Sequence, residues 1–374
     1  MKTRAAVLKD MTSAPPYSHS RPLEIREIVL DPPGPDEVLV RIRAAGLCHS
    51  DLSVINGNRP RPMPMTLGHE AAGEVVSLGA NVDDLVPGDH VVLTFMPSCG
   101  HCLPCAEGRP ALCEPGARAN GAGTLLSGEV RLHENGAAIF HHLGCSAFAE
   151  HAVVSRRSLV KIDKTLPFTE AALFGCAVLT GVGAVINTAR VQAGQTVAVI
   201  GLGGVGLAAV LGAVCAGATQ IVAVDLSDDK LTVAKALGAT ATFNARDPDL
   251  MEQIRALTDG GVDVALEFAG SEKALSNAYR MTRRGGTTVT AGLPGPDTDL
   301  KLNIVSLVAE ERTLKGSYIG TCVPPRDIAR YVALYRQGKL PVGKLLSGTL
   351  RLEEINEGFD RLDKGEAIRL IIEL

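Results

Sequence analysis

Four cysteines fall within fifteen residues in SCGHCLPCAEGRPALC: Cys99, Cys102 and Cys105 follow C-x-x-C-x-x-C, and Cys113 comes after seven more residues. Thiolates this close, on a loop with glycine and proline, can fold around one tetrahedral ion, and four sulfurs leave no position for a substrate. The expectation is a structural zinc holding a lobe with little apolar core of its own. Spacing alone also admits an iron–sulfur cluster or a set of inert or redox-active thiols. His101, between two of these cysteines, reads as a solvated loop histidine.

A second motif, Gly201-Leu202-Gly203-Gly204-Val205-Gly206, stands between the strand-like TVAVIG and an apolar helical run. This is the G-x-G-x-x-G form in the strand-to-helix context it requires. The first glycine permits a tight turn, the second lets the backbone approach a pyrophosphate, and the third lets helix pack closely on strand. Asp225 ends the next strand, 19 residues after Gly206. A carboxylate there accepts hydrogen bonds from ribose hydroxyls and repels a 2′-phosphate, so NAD is expected over NADP, with Lys230 in reach of the same ribose. The plainer role for Asp225 is to cap the following turn.

The third constellation is dispersed: Cys48 in GLCHSD, His69 in LGHE and Cys176 in LFGCAVLTG. Two cysteines and a histidine make one of the known catalytic zinc sets, with the fourth position left exchangeable. On spacing alone each reads better as a buried structural residue than as a ligand. Context favours the metal, because Glu70 follows His69 and Asp51 lies three residues after Cys48, and carboxylates of this kind orient ligands.

Strand and helix signals give these residues a frame. The first third is β-rich and irregular, with EVLVRIRAAG over 37–46 as a strand and glycine turns between GHEAAGEVVSLG and VPGDHVVL. A helical stretch, TEAALFGCAVLTGVGAVI, follows Pro167. Strands at 196–201, 220–225, 262–268 and 287–292 then alternate with helices such as SDDKLTVAKALG, with Ser227 as its N-cap and Gly238 as its stop. That alternation implies a parallel, doubly wound sheet. The closing IRLIIEL is a strand expected to rejoin the first domain.

Composition excludes several functions. With 374 residues, 37 basic against 41 acidic side chains and a net charge of −4, the chain is no polycation for nucleic acid. Aromatic residues make up 3%, with no Trp, too few for a base-stacking surface. No residue from Val191 to Val224 is charged, but seven glycines punctuate the run and no basic cluster flanks it, so it is not read as a membrane span. The first twenty residues lack an apolar signal core, and a cytoplasmic protein with reduced thiols is expected.

These motifs resemble, in order and spacing, the zinc-containing medium-chain alcohol dehydrogenase family, which includes liver alcohol dehydrogenase and the glutathione-dependent formaldehyde dehydrogenases. The resemblance runs through GLCHSD, LGHEAAGEVVSLG, PGDHVVL, the four-cysteine lobe, HHLGCSAFAEHAVV, FGCAVLTG, GLGGVG with Asp225, and GFDRLDKGEAIRLII. It implies an α/β protein with a Rossmann doubly wound parallel-sheet coenzyme domain and a β-rich GroES-like catalytic domain. The expected boundaries are 1–178 for the catalytic domain with its zinc lobe at 95–115, 179–320 for the NAD-binding domain, and 321–374 for a return to the catalytic domain.

By this resemblance Cys48, His69 and Cys176 hold a catalytic zinc and Cys99, Cys102, Cys105 and Cys113 a structural one. Asp51 orients the ligand histidine, Glu70 approaches the metal, and Ser50 bonds to the alcohol oxygen. His49 and Arg369 match contacts to the cofactor pyrophosphate, and Thr180 packs near the nicotinamide. Hydride then passes between a small alcohol and NAD, giving aldehyde or ketone. The pocket residues implied are Phe95, His142, Leu143, Leu293 and Tyr318, of which Phe95, Leu143 and Leu293 favour an apolar, aromatic or medium-length alcohol. His142 departs from the apolar or aromatic residue of relatives and would bind a polar substrate group or sit on the rim.

Ser53 departs too, at the position where many relatives end a proton route in histidine. The glutathione-dependent branch carries an acidic residue near the substrate entrance, whereas INGNRPRPMP has none and carries Arg59 and Arg61. Arg118 stands one residue from that branch's basic position, so a thiol-adduct substrate ranks below a simple alcohol. A non-catalytic NAD-binding protein would lack a zinc ligand, and a zinc-free NADPH reductase would lack both the ligands and Asp225. The segment from Glu114 to Leu143 resembles the dimeric branch, so a homodimer is expected.

Overall fold

The structure, a computed structural model, describes residues 1–374. The chain forms two compact units: Met1–Cys176 with Val323–Ala329 and Leu346–Leu374, and Ala177–Cys322 with Arg330–Leu345. The sequence reading returned all of 321–374 to the first domain, whereas Arg330–Leu345 stays with the second unit. Its apolar side chains explain this: Leu340, Val342 and Leu345 are fully buried, and Cys215 of the helix Gly204–Cys215 donates to the Lys339 carbonyl at 3.1 Å.

The first unit contains a closed barrel of the strands Lys2–Leu8, Leu23–Leu30, Leu132–Glu134, Ala137–His141 and Met65–Thr66. Ala5, Val7, Ile28, Leu30, Leu132 and Ile139 fill a core cluster there. Beside it, a seven-stranded sheet centres on Glu37–Gly46, the strand read from its sequence with the same limits. Ala71–Leu78 pairs with this strand, and so does the C-terminal Arg369–Glu373, antiparallel with Ile371 opposite Gly46. Leu47 N–H donates to Leu370 O at 2.9 Å, which brings Arg369 level with Cys48 although 321 residues separate them.

The second unit is an all-parallel six-stranded sheet in the order Ala241–Asn244, Gln220–Asp225, Thr196–Ile200, Val262–Glu267, Thr282–Thr290, Thr313–Gly316. The order reverses beside the strand Thr196–Ile200, the place where open α/β sheets take their ligands. The central strands are continuous apolar runs because both faces are covered. Sequence reading found the four inner strands and missed the two edges, which are half-buried to exposed and carry no apolar run. Thr282–Thr290 also begins five residues earlier than expected, after a register shift between Val262 and Val264.

The uncharged run from Val191 to Val224 resolves into strand, glycine turn, a 12-residue helix and strand, and no helix is long and apolar enough to cross a membrane. The helical stretch after Pro167 is not continuous. It breaks between Phe168–Leu173 and Ala177–Gly183 and ends in a π-helical segment, Ala184–Ala189. At the break, a Cβ on Gly175 would lie 2.3 Å from the Leu93 carbonyl oxygen, so only glycine lets the chain approach this close. Cys176 comes next. Ser227 holds the N-cap position of Asp228–Ala236 but makes no side-chain capping bond; its N–H donates to Asp225 instead.

Candidate metal and cofactor sites

In the lobe, the four sulfurs of Cys99, Cys102, Cys105 and Cys113 lie within 4.8 Å of one another. Cys102 Sγ is 3.9 Å from Cys113 Sγ. Tetrahedral zinc–sulfur bonds would separate sulfurs by about 3.8 Å, so the cluster is already near the size of an ion's shell. Backbone N–H groups point at the sulfurs: Cys99 N–H to Cys113 Sγ at 3.1 Å, Cys102 N–H to Cys99 Sγ at 3.3 Å and Gly116 N–H to Cys113 Sγ at 3.4 Å. Against the penalty of burial, the N–H groups of His101 and Cys102 bring the Cys99 thiol down to about 7. His101 itself is exposed, with Nδ1 3.1 Å from the Cys99 carbonyl oxygen.

The second cluster assembles three distant points of the first unit. Cys48 is the residue before the helix His49–Ile55, His69 follows the positive-φ turn at Gly68, and Cys176 stands in the break after Gly175. Their ligand atoms lie within 4.8 Å of one another, and the three residues are exposed by 5%, 0% and 5%. The Nε2 of His69 is buried with no hydrogen-bond partner. A buried, unsatisfied imidazole nitrogen facing two thiols has the donor set and size that zinc takes, so the residues fit the ion.

The neighbours of this cluster are charged and buried. A hydrogen bond with Cys176, the Arg369 guanidinium and His69 hold the Cys48 thiol well below its usual range. Arg369, 2% exposed, lies 3.9 Å from Cys48 Sγ and 3.5 Å from Glu70 Oε1. Burial pushes the Glu70 carboxyl up to about 7 against the pull of that guanidinium, and both its oxygens lack a hydrogen-bond partner. Glu70 packs over Gly46, where a Cβ would come within 3.2 Å of its carboxylate carbon. Arg369, expected on a pyrophosphate, also lies against the metal cluster's own carboxylate and sulfur.

Asp51 is fully buried in the first turn of the helix His49–Ile55. Its Oδ1 accepts the Gly68 N–H at 3.0 Å and faces His69 Nδ1 at 3.1 Å and His142 Nδ1 at 3.0 Å. Although burial works the other way, these two imidazoles hold the Asp51 carboxyl below the usual range. The ring of His69 is flanked edge-on by Phe95, 5.3 Å away at 86°, and by His142, 5.5 Å away at 85°.

Among the remaining site residues, Ser50 is half-buried and His49 exposed on the same helix, and Leu143 is 8% exposed with a left-handed φ of 52°. Leu293, Tyr318 and Thr180 belong to the second unit, Leu293 being 54% exposed. Sequence reasoning placed His142 in the pocket or on its rim, but it is 1% exposed and packed against Asp51. No sequence signal links residues 142 and 51, since the contact arises only when the barrel strand Ala137–His141 closes beside the ligand helix.

The dinucleotide motif is built as its glycines require. Gly201 has φ +90°, and a Cβ on Gly206 would sit 1.8 Å from the Gly201 carbonyl oxygen, so both must be glycine. Gly203 is different: a Cβ there meets nothing within 4 Å, leaving open space at the N-terminus of the helix Gly204–Cys215. Val205 is half-buried in that helix's first turn and Lys230 half-buried in the first turn of Asp228–Ala236. Asp225 accepts the Leu202 N–H at 2.6 Å on one oxygen and the Ser227 N–H at 2.9 Å on the other. It therefore braces the glycine turn and the next turn together.

Comparison with known proteins agrees with this geometry. Residues 34–164 match the family described as alcohol dehydrogenase GroES-like domain, and residues 204–337 the family described as zinc-binding dehydrogenase. The chain is 39% identical over 376 residues to putative alcohol dehydrogenase D of Mycobacterium tuberculosis, covering 100% of both. It is 38% identical over 362 residues to alcohol dehydrogenase class-3 of Drosophila melanogaster, covering 95% of both. The crystal structure of benzyl alcohol dehydrogenase from Acinetobacter calcoaceticus superposes with a TM-score of 0.93 at 33% identity, over 100% of this chain and 99% of that one. A barrel unit with two cysteine-bearing clusters and a parallel-sheet unit with a glycine-rich turn define the class, and the chain belongs to the zinc-containing medium-chain alcohol dehydrogenase family. It is a zinc-binding alcohol dehydrogenase, an oxidoreductase acting on CH–OH groups.

Proposed function

We propose that the enzyme transfers hydride reversibly between NAD and a small primary or secondary alcohol, with room for an aromatic or medium-length apolar group, giving aldehyde or ketone. The observation that carries this is the three-ligand cluster of Cys48, His69 and Cys176, buried and one ligand short of a closed tetrahedral shell. Zinc bound there supplies Lewis acidity that eases loss of the alcohol proton. Ser50, two residues after Cys48, places a hydroxyl for the alcohol oxygen, and Phe95 supports an apolar wall beside His69. His49 and Arg369 are assigned to the pyrophosphate and Thr180 to the nicotinamide. Asp225 keeps a second lone pair on each oxygen for ribose hydroxyls, and its charge disfavours a 2′-phosphate.

A second reading, a thiol-adduct alcohol of the S-hydroxymethyl-glutathione type, draws support from the class-3 relative described above. Arg59 and Arg61, with no carboxylate between Asp51 and Glu70, weigh against it. The deciding experiment measures zinc per chain and NAD- and NADP-coupled absorbance over primary, aromatic and hydroxymethyl-thiol substrates. Two zinc ions per chain and NAD-dependent turnover of aromatic alcohols support the first reading; turnover confined to the thiol adduct overturns it.

The same proposal includes a homodimer in the cytoplasm. Ile304, Val305 and Val308 are 73%, 74% and 71% exposed on the short helix Ile304–Ala309, which precedes the sheet-edge strand Thr313–Gly316 in the chain, and exposed apolar side chains of this kind mark an association surface. Sedimentation of the wild type tests it, and a monomer refutes it.

A further inference from the structure

A buried carboxylate that orients a ligand histidine has to be held itself. Left to rotate, Asp51 would let the His69 ring swing and Nε2 would lose its aim. A carboxylate is acceptor-only, so each ring nitrogen facing Oδ1 of Asp51 carries a hydrogen. His69 supplies one at 3.1 Å and His142 supplies another at 3.0 Å. The His142 N–H is not aligned on the oxygen and acts as a close electrostatic contact more than as a straight hydrogen bond.

His142 is itself fixed. Its backbone N–H is shared between Ser146 Oγ at 3.1 Å and the Thr66 carbonyl at 3.3 Å, and its backbone carbonyl accepts the Cys145 N–H at 3.0 Å. Thr66 lies three residues before His69, so the His142 backbone is tied to the segment that presents the ligand. Its ring meets that of His69 edge-on.

We propose that His142 is a positioning residue for the catalytic zinc: its Nδ1–H holds Asp51, and through Asp51 it fixes the direction in which His69 presents Nε2. The inference rests on Cys48, His69 and Cys176 being the metal ligands. It differs from the pocket role that the sequence suggested, because the group His142 serves is a buried carboxylate and not the substrate.

Two variants separate donation from packing. His142→Phe keeps a ring against His69 and removes the donor; His142→Asn removes the ring and keeps an amide N–H near the position of Nδ1. The holoenzymes are challenged with a zinc chelator, and loss of each ion is followed, with the lobe zinc as internal reference. His142→Phe is expected to release the catalytic zinc about tenfold faster than wild type, at the low end for such partners because the contact is tilted, and His142→Asn within about twofold. Zinc retention unchanged in His142→Phe, or His142→Asn releasing zinc as fast as His142→Phe, overturns the proposal. Wild-type enzyme that binds only the lobe zinc would instead overturn the ligand assignment. Nitrogen-15 NMR of the wild-type holoenzyme needs no variant: His142 is expected to carry its hydrogen on Nδ1, facing Asp51, and an Nδ1 that reads as unprotonated refutes the role of His142.

Discussion

The lobe takes all four sulfurs from one stretch of fifteen residues on a short helix and turns, whereas Cys48, His69 and Cys176 come from three points spread over 129 positions. Three of the four lobe cysteines are partly exposed, and the helix Leu103–Ala106 buries no residue at all. The catalytic ligands are at most 5% exposed, and beside them Asp51, Glu70, His142 and Arg369 are buried as well. The difference lies in what does the ordering. An ion must organise the lobe, because little else there excludes water, whereas sheet, helix and carboxylate organise the catalytic ligands before any ion arrives.

Removing a ligand from each site should therefore give opposite results. Cys176→Ala is expected to lower turnover by at least about a thousandfold, from the several kcal/mol of charge stabilisation lost with the metal. Zinc should fall from two ions per chain to one and the melting temperature should change little; loss of the lobe zinc as well would break the contrast. Asp51→Asn sharpens it, because every ligand stays in place. Zinc affinity at the catalytic site should drop by about ten- to a hundredfold with the lobe unaffected, as measured by competition with a chelator.

The same contrast sets what could be read from sequence. The lobe and the glycine turn were legible because their residues are neighbours in the chain, so spacing carries the geometry. The catalytic ligands were legible only through resemblance, since tertiary contacts alone bring Cys48, His69 and Cys176 together. Inner strands of the parallel sheet showed as apolar runs, while the edge strands Ala241–Asn244 and Thr313–Gly316 gave no pattern because one side of each is open. The contact between His142 and Asp51 was invisible for the first reason in an extreme form, as it joins a barrel strand's end to a helix 91 residues earlier.

Cys113→Ala probes the lobe side. Cys113 accepts N–H bonds from Cys99 and Gly116 and caps the helix Glu114–Ala122, so its loss frees the loop locally. Limited proteolysis between residues 99 and 123 is expected to accelerate about tenfold or more, corresponding to about 1.4 kcal/mol of local opening. Turnover at saturating substrate should stay within a few-fold of wild type. Collapse of activity in step with lobe cleavage would show that the ion in the lobe also shapes the catalytic ligands, contrary to the comparison.

The smallest effect is expected at Ser53, on the same helix as Ser50 and Asp51 and at the place where many relatives have a proton-carrying histidine. Its hydroxyl donates to the His49 carbonyl one turn earlier at 2.8 Å, so the hydrogen that a relay would pass on is held by the helix's own backbone. A serine bonded in this way has no accessible pKa near neutrality with which to store a proton, and the proton from the alcohol must leave through solvent or another group. Ser53→Ala should therefore leave kcat within about twofold at neutral pH and leave the pH optimum for oxidation where it was. A rate loss that deepens as pH falls would place Ser53 on the proton path, and it would mean that the catalytic cluster depends on this helix for proton transfer as well as for positioning Asp51.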